Sequence, residues 1–218
     1  CSSGQSAQAE EPIKTIDEMA EEIISDMTLE EKVGQMFLVR YTDDEKAVSD
    51  IDKYKFGGYL LFAKDFQDKT KDDVIKSVSD CQSASKVPLF IGVDEEGGIV
   101  NRVSKFPQFR NEPFKSPREL YNEGGYELIS SDTQEKCELL KSLGINVNLA
   151  PVCDVLENPD SFMYERTLGQ DADATSEYVS SVVEVMSKNN MGSALKHFPG
   201  YGDNGDTHTD IITDNRPI

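Results

Sequence analysis

Five short apolar runs recur along this chain, and stretches with helical patterning separate them. The runs lie at residues 36–39, 59–63, 89–93, 147–152 and 193–195. Helical spacing or a capping box predicts helices at residues 16–27, from Thr28 onward, and at 44–54, 71–85, 117–143 and 171–190. Strands that are apolar on both faces and alternate with helices predict a parallel sheet covered by helices.

Ionisable residues follow three of these predicted strands. Asp94 ends the third apolar run, Asp154 follows the fourth, and Lys196-His197 ends the fifth. Both (β/α)-barrels and open α/β sheets place their chemistry at the carboxyl ends of parallel strands. No Gly-x-Gly-x-x-Gly or P-loop pattern follows the first run, which favours the barrel. The predicted fold class is therefore α/β, the N-terminal portion of a (β/α) TIM-type barrel with about five of its eight units.

The last thirty residues concentrate proton-transfer chemistry. Both histidines, His197 and His208, lie there, and residues 200–205 contain three glycines that allow a loop to move. A histidine can exchange a proton near neutral pH. Asp206, two residues before His208, can bond one ring nitrogen and fix the tautomer of the other. His208 is therefore the candidate acid/base, with Asp206 as its partner.

Two further kinds of side chain suit a polar ligand. Asp94 meets a Gly-Gly turn, where its carboxylate can accept two hydroxyls, although a solvated turn acid is the alternative. Arg102 and Arg166 offer planar sets of donors that suit neighbouring hydroxyls or carboxylates. Each arginine has a structural ion pair as its alternative in so acidic a chain.

Lys196 and His197 end a predicted central strand. The ammonium of Lys196 is rarely buried at such a place without a partner or a ligand. This favours a ligand-binding role for Lys196 and His197; the alternative is that His197 is a core histidine satisfied by a backbone carbonyl. Neighbours on a strand point to opposite faces. We therefore expect irregular peptide geometry around Lys196-His197 or Phe198-Pro199 if both side chains reach one site.

Three motifs, in this order and spacing, resemble glycoside hydrolase family 3. They are residues 93–98 with Asn101-Arg102, residues 165–169, and residues 196–200 with 206–208. The resemblance is to the bacterial β-N-acetylhexosaminidase branch, runs from about Met27 to the C-terminus, and covers the first part of the family's catalytic barrel. The chain departs from the common pattern in two places, with Thr207 for a serine and Tyr201 for a frequent histidine.

The resemblance implies an activity and a set of site residues. The activity is release of terminal β-linked N-acetylglucosamine with retention, without a cofactor. The implied sugar-binding residues are Asp94, Arg102, Arg166, Lys196 and His197. The implied acid/base is the Asp206-His208 pair, which replaces the usual carboxylic acid. The family's nucleophile, an aspartate after a later barrel strand, is expected beyond Ile218.

The first residue suggests a location. Cys1, followed by a polar Ser-, Gln-, Ala- and Glu-rich stretch, resembles a bacterial lipoprotein after removal of its signal peptide. We therefore expect a tether at residues 1–14, a partial barrel at 15–218, and export to the bacterial cell surface or periplasm with a lipid at Cys1. An arbitrary start at a cysteine is the alternative. The other cysteines, Cys81, Cys137 and Cys153, are interpreted as small buried apolar residues.

Charge restricts the partners. The net charge of −19 disfavours nucleic acid and anionic membranes, so a membrane is expected to be reached only through a lipid. The resemblance implies a carbohydrate, an N-acetylglucosamine-containing glycan, as the partner. The acids around His208 match neither the EF-hand nor the H-E-x-x-H spacing, so no metal is expected. The open edge of a partial barrel suggests pairing with the missing half or with a second copy.

Two other functions and one variant of the reaction remain open from the sequence. One alternative is a sugar-binding lipoprotein without turnover, and the other is a β-glucosidase-type member of the family. Phosphate could also replace water as the acceptor, because a neutral imidazole repels an incoming anion less than a carboxylate does.

Overall fold

The computed structural model of this chain describes residues 14–156 and 158–216. Cys1 and nearly all of the predicted tether lie outside the described residues, so the tether, the lipid and the boundary at residue 14 stay predictions. Among the described residues, no helix combines the length and the apolar character that a membrane span requires.

Five parallel strands form one sheet in the order of the sequence. They are β1 (Leu38–Arg40), β2 (Gly58–Leu61), β3 (Phe90–Val93), β4 (Val147–Asn148) and β5 (Gly192–Ser193). Leu38 pairs with Gly58 and Gly58 with Phe90, while Gly92 pairs with Val147 and Val147 with Gly192. Each strand lies beside the next in sequence, as in a (β/α)-barrel, and this confirms the predicted α/β fold with about five units.

Six α-helices connect and precede the strands. They are α1 (Ile16–Ser25), α2 (Leu29–Gly34), α3 (Asp44–Tyr54), α4 (Lys71–Ala84), α5 (Pro117–Ser142) and α6 (Ala172–Lys188). The predicted bounds agree to within two residues, and Thr28 and Glu31 form the expected capping box at the start of α2. One detail differs from the prediction, because α5 breaks at Gly125, which has a φ of 63°.

The two faces of the sheet differ. Side chains alternate along a strand, so Tyr59, Leu61, Ile91 and Val93 point to one face, where all four are buried among the helices. Leu38 and Phe90 belong to the other face and are 42% and 62% exposed in the described part of the chain. The helices therefore cover one face, and the opposite face corresponds to the inside of a barrel.

The three described cysteines are free. Cys81 and Cys137 are buried in the core, as expected, and burial raises the pKa of both thiols to about 11. Cys153 is half-buried near the ends of β4 and β5, where its amide donates to the carbonyl of Lys196. The prediction of burial is therefore met fully by Cys81 and Cys137 and only in part by Cys153.

Candidate active site

The loop after β3 turns back at Gly97, directly after three consecutive acids. Gly97 has a φ of 105°, and a Cβ there would lie 2.1 Å from the carbonyl oxygen of Lys115. Only glycine fits so close a backbone approach with a left-handed φ. This turn leaves Glu95 and Glu96 buried, at 0% and 5% exposure, so they are not solvated turn acids.

Glu95 organises the loop that carries Arg102. Its carboxylate accepts hydrogen bonds from the backbone N–H groups of Arg102, Val103 and Ser104, at 2.7, 2.7 and 3.0 Å. The Ser104 hydroxyl also donates to it. These hydrogen bonds satisfy the Glu95 carboxylate with donors from its own loop. Glu95 therefore stabilises the conformation of that loop.

A compact ion network lies where β3 and β5 end. Lys196 Nζ lies 2.7 Å from Asp94 Oδ1 and 2.6 Å from Glu96 Oε1. Arg166 binds Glu96 with two donors, Nε at 2.9 Å and Nη2 at 2.7 Å. The side chains of Lys196 and Arg166 are each 15% exposed, so their charges are largely withdrawn from water.

Glu96 holds this network together. Burial opposes its ionisation, but the hydrogen bonds and positive charges of Arg166 and Lys196 outweigh that effect and keep the pKa of Glu96 below its usual value. The ion-pair alternative therefore applies to Arg166, which forms a bidentate pair and still lies beside the predicted ligand residues.

His197 is oriented by a second buried carboxylate. Asp154 Oδ2 accepts from the His197 backbone N–H at 3.0 Å and faces ring Nδ1 at 2.8 Å. A carboxylate only accepts, so Nδ1 carries the proton and Nε2 is an acceptor. Arg166 Nη2 lies 3.3 Å from Nε2 and can donate to it. His197 is therefore held as a fixed tautomer.

Asp154 also holds the start of the final loop. Its Oδ1 accepts from the Tyr201 N–H at 2.7 Å. Burial raises the pKa of Asp154, but the bonds from His197 and Tyr201 outweigh burial and set this pKa below its usual value. The Lys196-His197 and Phe198-Pro199 peptides are both cis, which confirms the irregular geometry expected there.

Arg102 lies apart from the ion network. Its guanidinium is 5.9 Å from the centre of the Phe62 ring, beyond the end of β2. It makes no ion pair with any described residue, and its buried Nε has no described partner. The ion-pair alternative therefore finds no support for Arg102, whose proposed ligand role stays a prediction.

Asp206 and His208 form the predicted pair. His208 Nδ1 lies 2.7 Å from Asp206 Oδ1, which also accepts from the His208 backbone N–H at 2.9 Å. These bonds, with a smaller contribution from the charge of Arg166, lower the pKa of Asp206. The His208 side chain is 78% exposed. The structure thus brings the pair together on an open loop, separate from the ion network.

An open cavity of about 360 Å³ is lined by residues that follow β5 and by residues of this loop. They include His197, Phe198, Tyr201 and Thr207. Its volume lies within the range of small-molecule sites. No three His, Cys, Asp or Glu side chains of residues 14–156 and 158–216 are grouped as metal ligands.

Sequence reasoning missed two members of the site. The sequence assigns no role to Glu96, and it places Asp154 at a strand end without a role. The structure makes each the partner of a predicted ligand residue, Arg166 for Glu96 and His197 for Asp154. A charged residue directly after a predicted buried strand was the available signal for both.

These features define a class of protein: an α/β domain whose parallel strands end in a cluster of buried and half-buried charged side chains. The N-terminal domain of glycosyl hydrolase family 3 matches residues 28–218, and this chain belongs to that family. The β-hexosaminidase A of Pseudoalteromonas piscicida is 33% identical over 168 residues, which are 75% of this chain and 27% of that protein.

Solved structures agree with this assignment. LpqI of Mycobacterium tuberculosis superposes with a TM-score of 0.75 at 26% identity, covering 85% of this chain and 53% of that one. A family 3 β-N-acetylglucosaminidase from Paenibacillus sp. gives a TM-score of 0.74 at 27% identity, with coverages of 83% and 35%. The chain therefore spans about half or less of the length of these relatives.

Proposed function

We propose that the full-length protein is a retaining hydrolase that releases terminal β-linked N-acetylglucosamine from glycans. The carrying observation is the Asp206-His208 pair, which flanks Thr207 on a loop that lines the same cavity as His197. The names of the relatives, β-hexosaminidase and β-N-acetylglucosaminidase, support this substrate class.

The ion network supplies the sugar site in this proposal. Asp94 keeps one carboxylate oxygen for hydroxyls beyond its bond to Lys196, whose ammonium has further donors. His197 presents Nε2 as an acceptor, with Arg166 beside it. Donors and acceptors fixed in advance bind a sugar without the entropy cost of ordering them.

His208 supplies the proton in the first step. With Nδ1 bonded to Asp206, the protonated ring carries its second N–H on Nε2 and donates that proton to the glycosidic oxygen as the bond to the anomeric carbon breaks. The resemblance assigns the attacking carboxylate to an aspartate on a later strand, which forms a glycosyl-enzyme intermediate. In the second step, neutral Nε2 takes a proton from the water that releases the sugar.

The exposed ring must approach the sugar for this step. Gly200 and Gly202 have φ values of 98° and 54°, and Gly205 follows in the same loop. Such residues absorb the backbone changes of loop closure. Closure over the cavity would bring the His208 ring from solvent to the leaving oxygen and exclude bulk water.

The test compares His208→Ala with wild type in the full-length protein. Aryl N-acetyl-β-glucosaminides with good and poor leaving groups are the substrates. Loss of a general acid should lower kcat by about 100-fold or more for the poor leaving group and far less for the good one. Ile211→Ala, at an exposed position of the same loop, is the control and should leave both rates unchanged. Unchanged turnover of a natural disaccharide by His208→Ala would refute the proposal.

The exposure of His208 favours one alternative, a sugar-binding protein without turnover. Calorimetric binding of N-acetylglucosamine without any product would support that alternative. Preference for glucosides over N-acetylglucosaminides would instead indicate a β-glucosidase-type enzyme, and sugar 1-phosphate formed in phosphate buffer would indicate phosphate as the acceptor.

A further inference from the structure

Two hydroxyl-bearing residues of the final loop, Tyr201 and Thr207, contact each other. The hydroxyls of Tyr201 and Thr207 lie 2.8 Å apart and share a hydrogen bond in which either can donate. Thr207 sits between Asp206 and His208 in the sequence. The hydroxyl of Tyr201 is therefore bonded to the residue inside the acid/base pair.

The backbone and ring of Tyr201 are held against His197 and its partner Asp154. Its backbone N–H donates to buried Asp154 at 2.7 Å. Its ring meets the His197 ring edge-on, with centroids 5.0 Å apart, and the Phe162 ring at 4.9 Å. Tyr201 thus joins a buried, multiply bonded anchor to a loop whose His208 side chain is 78% exposed.

We propose that Tyr201 is a positioning residue, whose bond to Thr207 sets where the Asp206-His208 pair stands relative to the bound sugar. This inference rests on the proposed function and adds a residue to it. The bond restricts the loop at the point next to the proton donor, and misplacement of a catalytic group by about 1 Å is costly for the reaction rate.

The bond acts on proton delivery more than on sugar binding. Tyr201→Phe removes the hydroxyl and keeps the ring on His197 and the amide on Asp154. The groups of the ion network are untouched by this change. The loss should therefore fall on kcat with little change in KM, and most strongly on substrates whose leaving group needs a proton.

The experiment uses the full-length protein and four variants: Tyr201→Phe, Thr207→Val, their combination, and Thr207→Ser. With a poor aryl leaving group, Tyr201→Phe and Thr207→Val should each lower kcat by about 2- to 10-fold, the range for loss of one hydrogen bond. The double variant should match the single ones, because both remove the same bond. Thr207→Ser keeps a hydroxyl and should retain wild-type kcat.

Several results would overturn the inference. They are wild-type kcat in Tyr201→Phe, multiplied losses in the double variant, equal losses with good and poor leaving groups, or a Thr207→Ser variant as impaired as Thr207→Val. If the wild type turns substrate over, His208→Ala loses that turnover and Tyr201→Phe keeps it, this inference is overturned and the proposed function stands. Absence of any wild-type turnover would overturn the proposed function, and this inference with it.

Discussion

Replacing Asp154 by asparagine should destabilise the domain, because one carboxylate serves three N–H donors. Oδ2 faces the backbone N–H and ring Nδ1 of His197, and Oδ1 faces the backbone N–H of Tyr201. An amide is nearly isosteric with a carboxylate but has one acceptor and one donor group. No orientation of the amide satisfies all three donors.

The size of this destabilisation follows from the amide orientation that loses fewer hydrogen bonds. With its oxygen toward His197, the amide keeps two of the three bonds and turns its NH₂ group toward the Tyr201 N–H. A bond to a charged group is then lost, at about 1.5–3 kcal/mol, and a donor is left unsatisfied. The Asp154 side chain is 0% exposed, so solvent does not screen the loss. We expect Asp154→Asn to lower the free energy of unfolding by about 2–4 kcal/mol.

Urea unfolding of the chain, followed by far-UV circular dichroism, measures this change. The chain has no tryptophan, so the backbone signal is the appropriate probe. Asp160→Asn makes the same charge change at an exposed position and should stay within about 0.5 kcal/mol of wild type. An Asp154→Asn variant as stable as Asp160→Asn, with an unchanged dependence on urea, would refute the reasoning.

The pH dependence of stability provides a second, independent test of the role of Asp154. The pKa of Asp154 is lowered in the folded state, so its stabilising effect is fully present above its unfolded value of about 3.9 and is lost as pH falls through the folded value. Asparagine does not titrate. The stability difference between wild type and Asp154→Asn should therefore shrink on acidification below about pH 4, and a difference constant between pH 7 and 3 would contradict the assignment.

Other changes test the rest of the structure. Glu96→Gln leaves Arg166 and Lys196 without their buried anion and should lower the free energy of unfolding in urea by about 3 kcal/mol. The exposed control Glu177→Gln should leave it almost unchanged, and equal losses in the two variants would contradict the ion network. ¹⁵N spectra of neutral His197 should show the Nδ1–H tautomer, and an Nε2–H tautomer would contradict its bond to Asp154. Leu140→Ala in the core should cost about 2–5 kcal/mol, and a cost as small as that of exposed Leu29→Ala would contradict its burial.

The helices could be predicted from the sequence because their signals are local. Capping boxes and apolar spacing lie within a few residues of the elements they specify, and the helix bounds followed from them. The location of the site followed from a topological rule, because parallel strands bring their carboxyl ends to one edge. Asp94, Lys196 and His197 were recognised in this way, as residues directly after buried strands.

Pairings between distant residues could not be predicted in this way. Glu96 meets Arg166 across 70 residues, and Asp154 meets His197 across 43. In the sequence each is one acid among 41. Burial distinguishes the two, since a carboxylate withdrawn from water requires donors or cations around it. That requirement appears only once the strands have assembled.

The site combines a rigid part with an exposed part, and Asp154 touches both. Groups that bind a sugar gain from being fixed beforehand, whereas a proton donor that covers the sugar must first let it enter. In the proposed function, the buried network would meet the first need and the loop with His208 the second. Asp154 holds His197 on the rigid side and the Tyr201 amide at the base of the loop. Changing Asp154 should therefore alter KM and kcat together, while removing the Tyr201 hydroxyl should alter kcat alone.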